Sequence, residues 1–174
     1  MQDVYFIETK FLNRNYKIQG VPGDGNCGIY AILRNLRLED GQNIALRNAI
    51  FPQNHRMRQN GEWLGMEDLH FVASYLGNAY QRDLIIVNTS PVNPNVVNVI
   101  NPDDHVYARY VNERWVRYDS LDAALNQESR NANPPVILLY TPNHWQAVLP
   151  ARRATIDNIG DSNGSIPKKR RLSF

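Results

Sequence analysis

The sequence predicts an α+β domain in which helices pack around a small, mostly antiparallel sheet. Three observations carry this. Apolar residues recur at steps of three and four after Cys27 and again from Met66 to Leu76, which is the period of a helix with one buried face. The second half of the chain carries short runs rich in valine, isoleucine and tyrosine, among them Leu84 to Val87, Val106 to Val111 and Val136 to Tyr140. Two runs, Tyr107 to Tyr110 and Trp115 to Tyr118, lie either side of Asn112-Glu113, a spacing that predicts a hairpin.

Taken in order, residues 1 to 12 suit either a short strand or the edge of a helix. Tyr16 to Gln19 alternates and predicts an extended segment that feeds the loop Gly23-Asp24-Gly25-Asn26-Cys27-Gly28. A first helix follows from about Cys27 to Leu38, stopped by Glu39-Asp40-Gly41, and Ile44, Leu46, Ala49 and Ile50 predict a second, closed by Pro52. Gln53 to Glu62, polar and basic with His55, Arg56 and Arg58, reads as a surface segment. The Met66 to Leu76 helix buries Met66, Leu69, Val72, Ala73 and Leu76 and ends at Gly77. His70 lies off that stripe and is expected at the surface.

Leu84 to Val87 is a buried strand, Asn95 to Ile100 a further candidate, and Asn101-Pro102-Asp103-Asp104 a turn with His105 at its mouth. Ser120 to Leu125 forms a short helix capped by Asp119 or Ser120. Val136 to Tyr140 turns through Thr141-Pro142-Asn143 into a last strand, His144 to Leu149. Alternation puts His144, Gln146 and Val148 on one side, and Trp145, Ala147 and Leu149 on the other.

A length of 174 residues suits one domain, here residues 1–150, followed by a basic tail, 151–174, whose lost periodicity predicts disorder. The net charge of +2 argues for no particular partner, nucleic acid included. One cysteine excludes an internal disulfide framework and points to a reducing compartment. No stretch suits a signal peptide or a membrane span, no clustered Cys/His pattern suggests zinc, and no cofactor is implied.

That cysteine is the candidate for chemistry. Most lone cysteines are small buried hydrophobes. Cys27, however, leaves a glycine-rich loop at the first turn of a helix, where unpaired N–H groups and the helix dipole favour a thiolate. With a histidine cation beside it, such a site lowers a thiol pKa from about 8.5 toward about 4 to 7. Gly23 and Gly25 free the loop Asp24, Gly25, Asn26 and Cys27 to point N–H groups at an oxyanion. His144 supplies a distant histidine, the partner that a thiol nucleophile needs.

Asp24-Gly25-Asn26-Cys27 before a helix, with His144-Trp145 on a late strand, resembles the ovarian-tumour (OTU) family of cysteine proteases, most of which are deubiquitinases. Trp63-Leu64-Gly65-Met66-Glu67-Asp68-Leu69 and the strand Leu84-Ile85-Ile86-Val87 resemble the family's middle section. The resemblance spans roughly residues 15 to 150. It implies a papain-like OTU fold and a ubiquitin or polyubiquitin substrate, with Cys27 as nucleophile and His144 as base. It further implies that Asp24 shapes the oxyanion loop and that the residue two after the histidine orients the imidazole.

Here that residue is Gln146, where the family has aspartate or asparagine. Asp3, Glu8 and Asn143 are alternative orienters. Gly25 and Gly28 leave room for an extended substrate tail, and Gly28 and Trp145 are expected to contact it. The Arg56 to Glu62 segment and residues 88 to 105 are candidate surfaces for the globular part of ubiquitin. A polyprotein-processing protease of the same fold and a ubiquitin-binding module without turnover are the alternatives. Lys168, Lys169, Arg170 and Arg171 resemble a nuclear import signal, which implies an import receptor as partner and the cytoplasm or nucleus of a eukaryotic cell, a host cell included if the protein is a pathogen's effector.

Overall fold

The computed structural model describes residues 15–89, 106–141 and 144–151. The expectations for residues 1–12, Asp3 and Glu8 included, for the 95–100 strand, His105, Pro142 and Asn143 and for the basic tail lie outside the described residues.

Ten elements follow in order: β1 (Tyr16–Gln19), α1 (Cys27–Asn35), α2 (Asn43–Ile50), α3 (Leu69–Tyr80), β2 (Arg82–Asn88), β3 (Val106–Val111), β4 (Arg114–Tyr118), α4 (Leu121–Leu125), β5 (Asn133–Thr141) and β6 (His144–Pro150). The strands form one open sheet in the order β1-β6-β5-β2-β3-β4. Among the described residues only the β2–β5 pair is parallel; its connection carries β3, β4 and α4. Asn112 and Glu113 both adopt positive φ, 54° and 67°, the left-handed pair that lets a two-residue turn follow the strand twist. Ser120 caps α4, its hydroxyl accepting from the N–H of Ala123 at 3.1 Å.

Alternation along the strands divides two cores. Leu84, Ile86, Val136, Leu138, Trp145 and Ala147 face α1, α2 and α3, whereas Ile18, Ile85, Val87, Ile137, Leu139 and Val148 face Leu121 and Ala124 of α4. Three helices therefore cover one face and one short helix the other. On α1, fully buried Ile29, Ile32 and Leu33 each contribute about 1.5–3 kcal/mol of transfer free energy. This packing fixes α1 against β6.

Several elements differ from the sequence expectation. α1 ends at Asn35 rather than Leu38, where the backbone folds back and Leu38 N–H bonds Leu33 O at 2.9 Å; the Asn35 amide turns inward to bond Ala31 O (3.1 Å), Ile137 O (3.0 Å) and Ile137 N–H (3.2 Å). Arg37 then takes a positive φ of 63°. On α2 the buried face is Asn43, Leu46, Arg47 and Ile50, and Ile44 points to solvent. Met66 is exposed and belongs to a 3-10 turn (Met66–Asp68) ahead of α3. α3 does not stop at Gly77. It runs to Tyr80 because Gln81 supplies the left-handed stop, at φ 54°. The segment Gln53 to Glu62 is only partly surface: Met57 is fully buried, and Arg56 is committed to Asp68 by bonds of 3.1 and 2.9 Å. His70 is exposed.

Among the described residues no helix is long and apolar enough to cross a membrane.

Candidate active site

The register of β1 on β6, Gln19 opposite Ala147, sends the chain onward past Trp145 and His144 before it turns back into α1. Glycine-loop and histidine strand therefore lie side by side. A side chain placed on Gly23 would meet the His144 ring, with Cε1 and Nδ1 both at 3.8 Å. Cys27 Sγ accepts the backbone N–H of Trp145 at 3.4 Å, a contact between residues 118 apart in sequence. Cys27 thus meets the strand that carries His144, although no hydrogen bond joins thiol to imidazole here.

Asp24 shapes the loop. Its Oδ1 accepts from Asn26 N–H at 2.9 Å, and its carbonyl accepts from Cys27 N–H at 3.0 Å. Two of the loop's N–H groups are consumed in this way, while that of Gly25 has no partner among the described residues. Asn26 does not cap α1 with its side chain. Its Oδ1 instead accepts from Arg47 Nη2 at 2.7 Å and from Gly61 N–H at 2.9 Å.

The electrostatics oppose the expected ion pair. Cys27 is 0% exposed, and burial, aided by the Asp24 charge, raises its pKa above the ordinary value against the N–H bond from Trp145. Burial likewise lowers the pKa of His144. Both shifts, led by burial, favour the neutral thiol and the neutral imidazole over an ion pair.

Gln146 is 2% exposed. Its Nε2 and the Nδ1 of His144 have no hydrogen-bond partner among the described residues, so the expected bond between amide and ring is not formed in this structure. Gly28 and Trp145, expected to touch substrate, are buried instead. A Cβ on Gly28 would fall 2.7 Å from Leu64 Cβ, and the Trp145 indole donates to Leu64 O at 3.0 Å, so both serve internal packing. The space at Gly25 is likewise taken, by the backbone of Gly61. No group of three His, Cys, Asp or Glu side chains among the described residues is placed to hold a metal.

Arg47 was not singled out by sequence reasoning. A lone arginine on a short amphipathic helix reads as solvated, and the one available signal was its place in the stripe Asn43, Leu46, Arg47, Ile50 at helical spacing.

No protein-family model and no curated protein matches the chain. Solved structures do. The viral OTU domain protease from Dera Ghazi Khan virus is similar over 82% of this chain and 85% of its own, at 16% identity and a TM-score of 0.51. The OTU domain of OTUD1 is similar over 84% and 97%, at 16% identity and a TM-score of 0.48. The Hazara virus OTU, solved bound to ubiquitin, is similar over 82% and 86%, at 12% identity and a TM-score of 0.40. The likeness to the Dera Ghazi Khan virus protease shows the fold: this sheet and its helices have OTU architecture.

Proposed function

We propose that the chain is an OTU-type cysteine protease that hydrolyses peptide or isopeptide bonds at the C-terminus of ubiquitin. One observation supports this above the others: the sole cysteine, at a helix start behind a glycine loop, meets the histidine strand through Trp145 N–H. In the reaction, His144 accepts the thiol proton as substrate approaches, and Sγ attacks the carbonyl carbon of the scissile bond. The N–H groups of Asp24 and Gly25, without partners among the described residues, are the loop donors left for the oxyanion, and a donor of this kind is worth about 3–4 kcal/mol. The imidazolium then protonates the leaving amine, and water, deprotonated by His144, releases the acyl group from sulfur.

The burial that raises the Cys27 pKa and the Nδ1 of His144, without a partner among the described residues, favour a second reading, a ubiquitin-binding module with weak turnover. A ubiquitin probe with a C-terminal thiol-reactive warhead separates the two. An adduct on the wild type and none on Cys27→Ala is the expected result. A folded wild type that binds the probe without an adduct leaves the binding module, and one that ignores the probe removes ubiquitin as substrate.

A further inference from the structure

A guanidinium taken fully out of water is costly unless its donors all find acceptors. In Arg47 each of the three guanidinium nitrogens finds an acceptor, none of them a carboxylate. It is 0% exposed. Nε donates to Asn43 Oδ1 at 2.9 Å, Nη1 to Met57 O at 2.8 Å, and Nη2 to Asn26 Oδ1 at 2.7 Å, Glu62 O at 3.0 Å and, more weakly, Gly25 O at 3.4 Å. One side chain therefore ties α2, the Met57 turn and the Glu62 loop to two consecutive residues of the cysteine loop.

The contact to Gly25 O acts on the peptide plane between the two residues, and the contact to Asn26 Oδ1 on the side chain that follows it. With the Gly25 carbonyl turned toward Nη2, the Asn26 N–H of the same planar unit points the other way, where Asp24 Oδ1 accepts it at 2.9 Å. The Asn26 side chain, which at this position ordinarily caps a helix, is held off the cap by Arg47 and Gly61. We propose that Arg47 is a positioning residue for the nucleophile: through Asn26 and Gly25 it fixes the backbone from which Cys27 enters its helix and keeps the resting thiol covered. This rests on the reading of Cys27 as nucleophile.

The test uses the full chain with Arg47→Lys, which keeps charge and stem but replaces the fork with a point donor. Val87→Ala, buried in the opposite core, is the control for lost stability. Three quantities are read below the melting range: melting temperature, the rate of Cys27 alkylation by iodoacetamide, and kcat and KM on a fluorogenic ubiquitin C-terminal amide. In Arg47→Lys, alkylation should rise about tenfold as the thiol is uncovered, while kcat falls about tenfold and KM stays within about threefold. A loss of stability alone raises alkylation of a buried thiol through opening but, below the melting range, leaves kcat unchanged, so Val87→Ala should keep its kcat, and its alkylation should rise only as far as its loss of stability accounts for. Folded Arg47→Lys with unchanged alkylation, or the same pair of changes in Val87→Ala, would overturn the proposal. If the wild type does not turn over the ubiquitin amide, the functional reading fails, and the alkylation comparison still decides the role of Arg47.

Discussion

Gly25→Ala probes how tightly the cysteine loop is seated. A Cβ on Gly25 falls 1.9 Å from the carbonyl oxygen of Gly61 and 2.7 Å from its carbon, so the obstacle is backbone and no rotamer relieves it. Gly61 is itself held at φ +86°, a conformation that favours glycine. Restoring a contact of 3.0 Å requires the loops to part by about 1.1 Å, which carries the Gly61 N–H to Asn26 Oδ1 bond, now 2.9 Å, out of range. Overpacking costs about 1–3 kcal/mol and the lost bond about 1 kcal/mol. At about 2–4 °C per kcal/mol for a domain of this size, the melting temperature should fall by roughly 4 to 16 °C. A displacement of about 1 Å next to a nucleophile lowers turnover by about 100-fold. Thermal melting and kcat on a ubiquitin C-terminal amide measure the two effects. An alanine variant that melts within about 2 °C of the wild type and keeps its turnover within about threefold would refute the reasoning, because the loops would then separate without cost.

Two further outcomes follow from the charges. Since burial raises the Cys27 pKa and lowers that of His144, iodoacetamide alkylation of Cys27 should climb with an inflection above the ordinary thiol value of 9.0; a plateau on the acid side of neutrality would instead mark a thiolate-imidazolium pair. The same shifts stabilise the fold between the ordinary values of 6.5 and 9.0. That contribution is lost as pH falls through the lowered His144 pKa or rises through the raised Cys27 pKa, which melting temperature against pH will follow. Gln146→Asp places a carboxylate at a buried position on the strand of His144. If it pairs with the imidazolium, kcat rises and the acid limb of kcat/KM moves to higher pH, while an unmoved limb shifts the orienting role elsewhere.

The fold was legible wherever one periodicity ruled a segment. The β3–β4 hairpin, the Ser120 cap and the alternation of Gln146 and Val148 against Trp145 and Ala147 are all local in origin, and the structure has them. Local signals failed where a distant partner decided. The Asn35 amide is committed to a strand residue 102 positions away; Gly77 is a separate case, a local stop signal overridden by the left-handed Gln81 shortly after it. The meeting of α1 with β6 could be anticipated from Cys27 and His144, since their chemistry is mutual. The crowding at Gly25 and Gly28 could not, because a glycine in sequence does not say whether its missing side chain makes room for a ligand or for Gly61 and Leu64.

β1 has one neighbour in the sheet, and that neighbour is β6. The order of synthesis gives this pairing a consequence in time. Cys27 emerges 118 residues before the amide it bonds, an interval of roughly 6 to 24 s at about 5–20 residues per second. Through that interval the nascent chain carries a thiol with no histidine beside it, no sixth strand to hold β1, and no loop geometry fit for attack. Non-local closure of this kind slows folding. A chain built this way brings its cysteine loop and its histidine strand together only once β6 has joined the sheet.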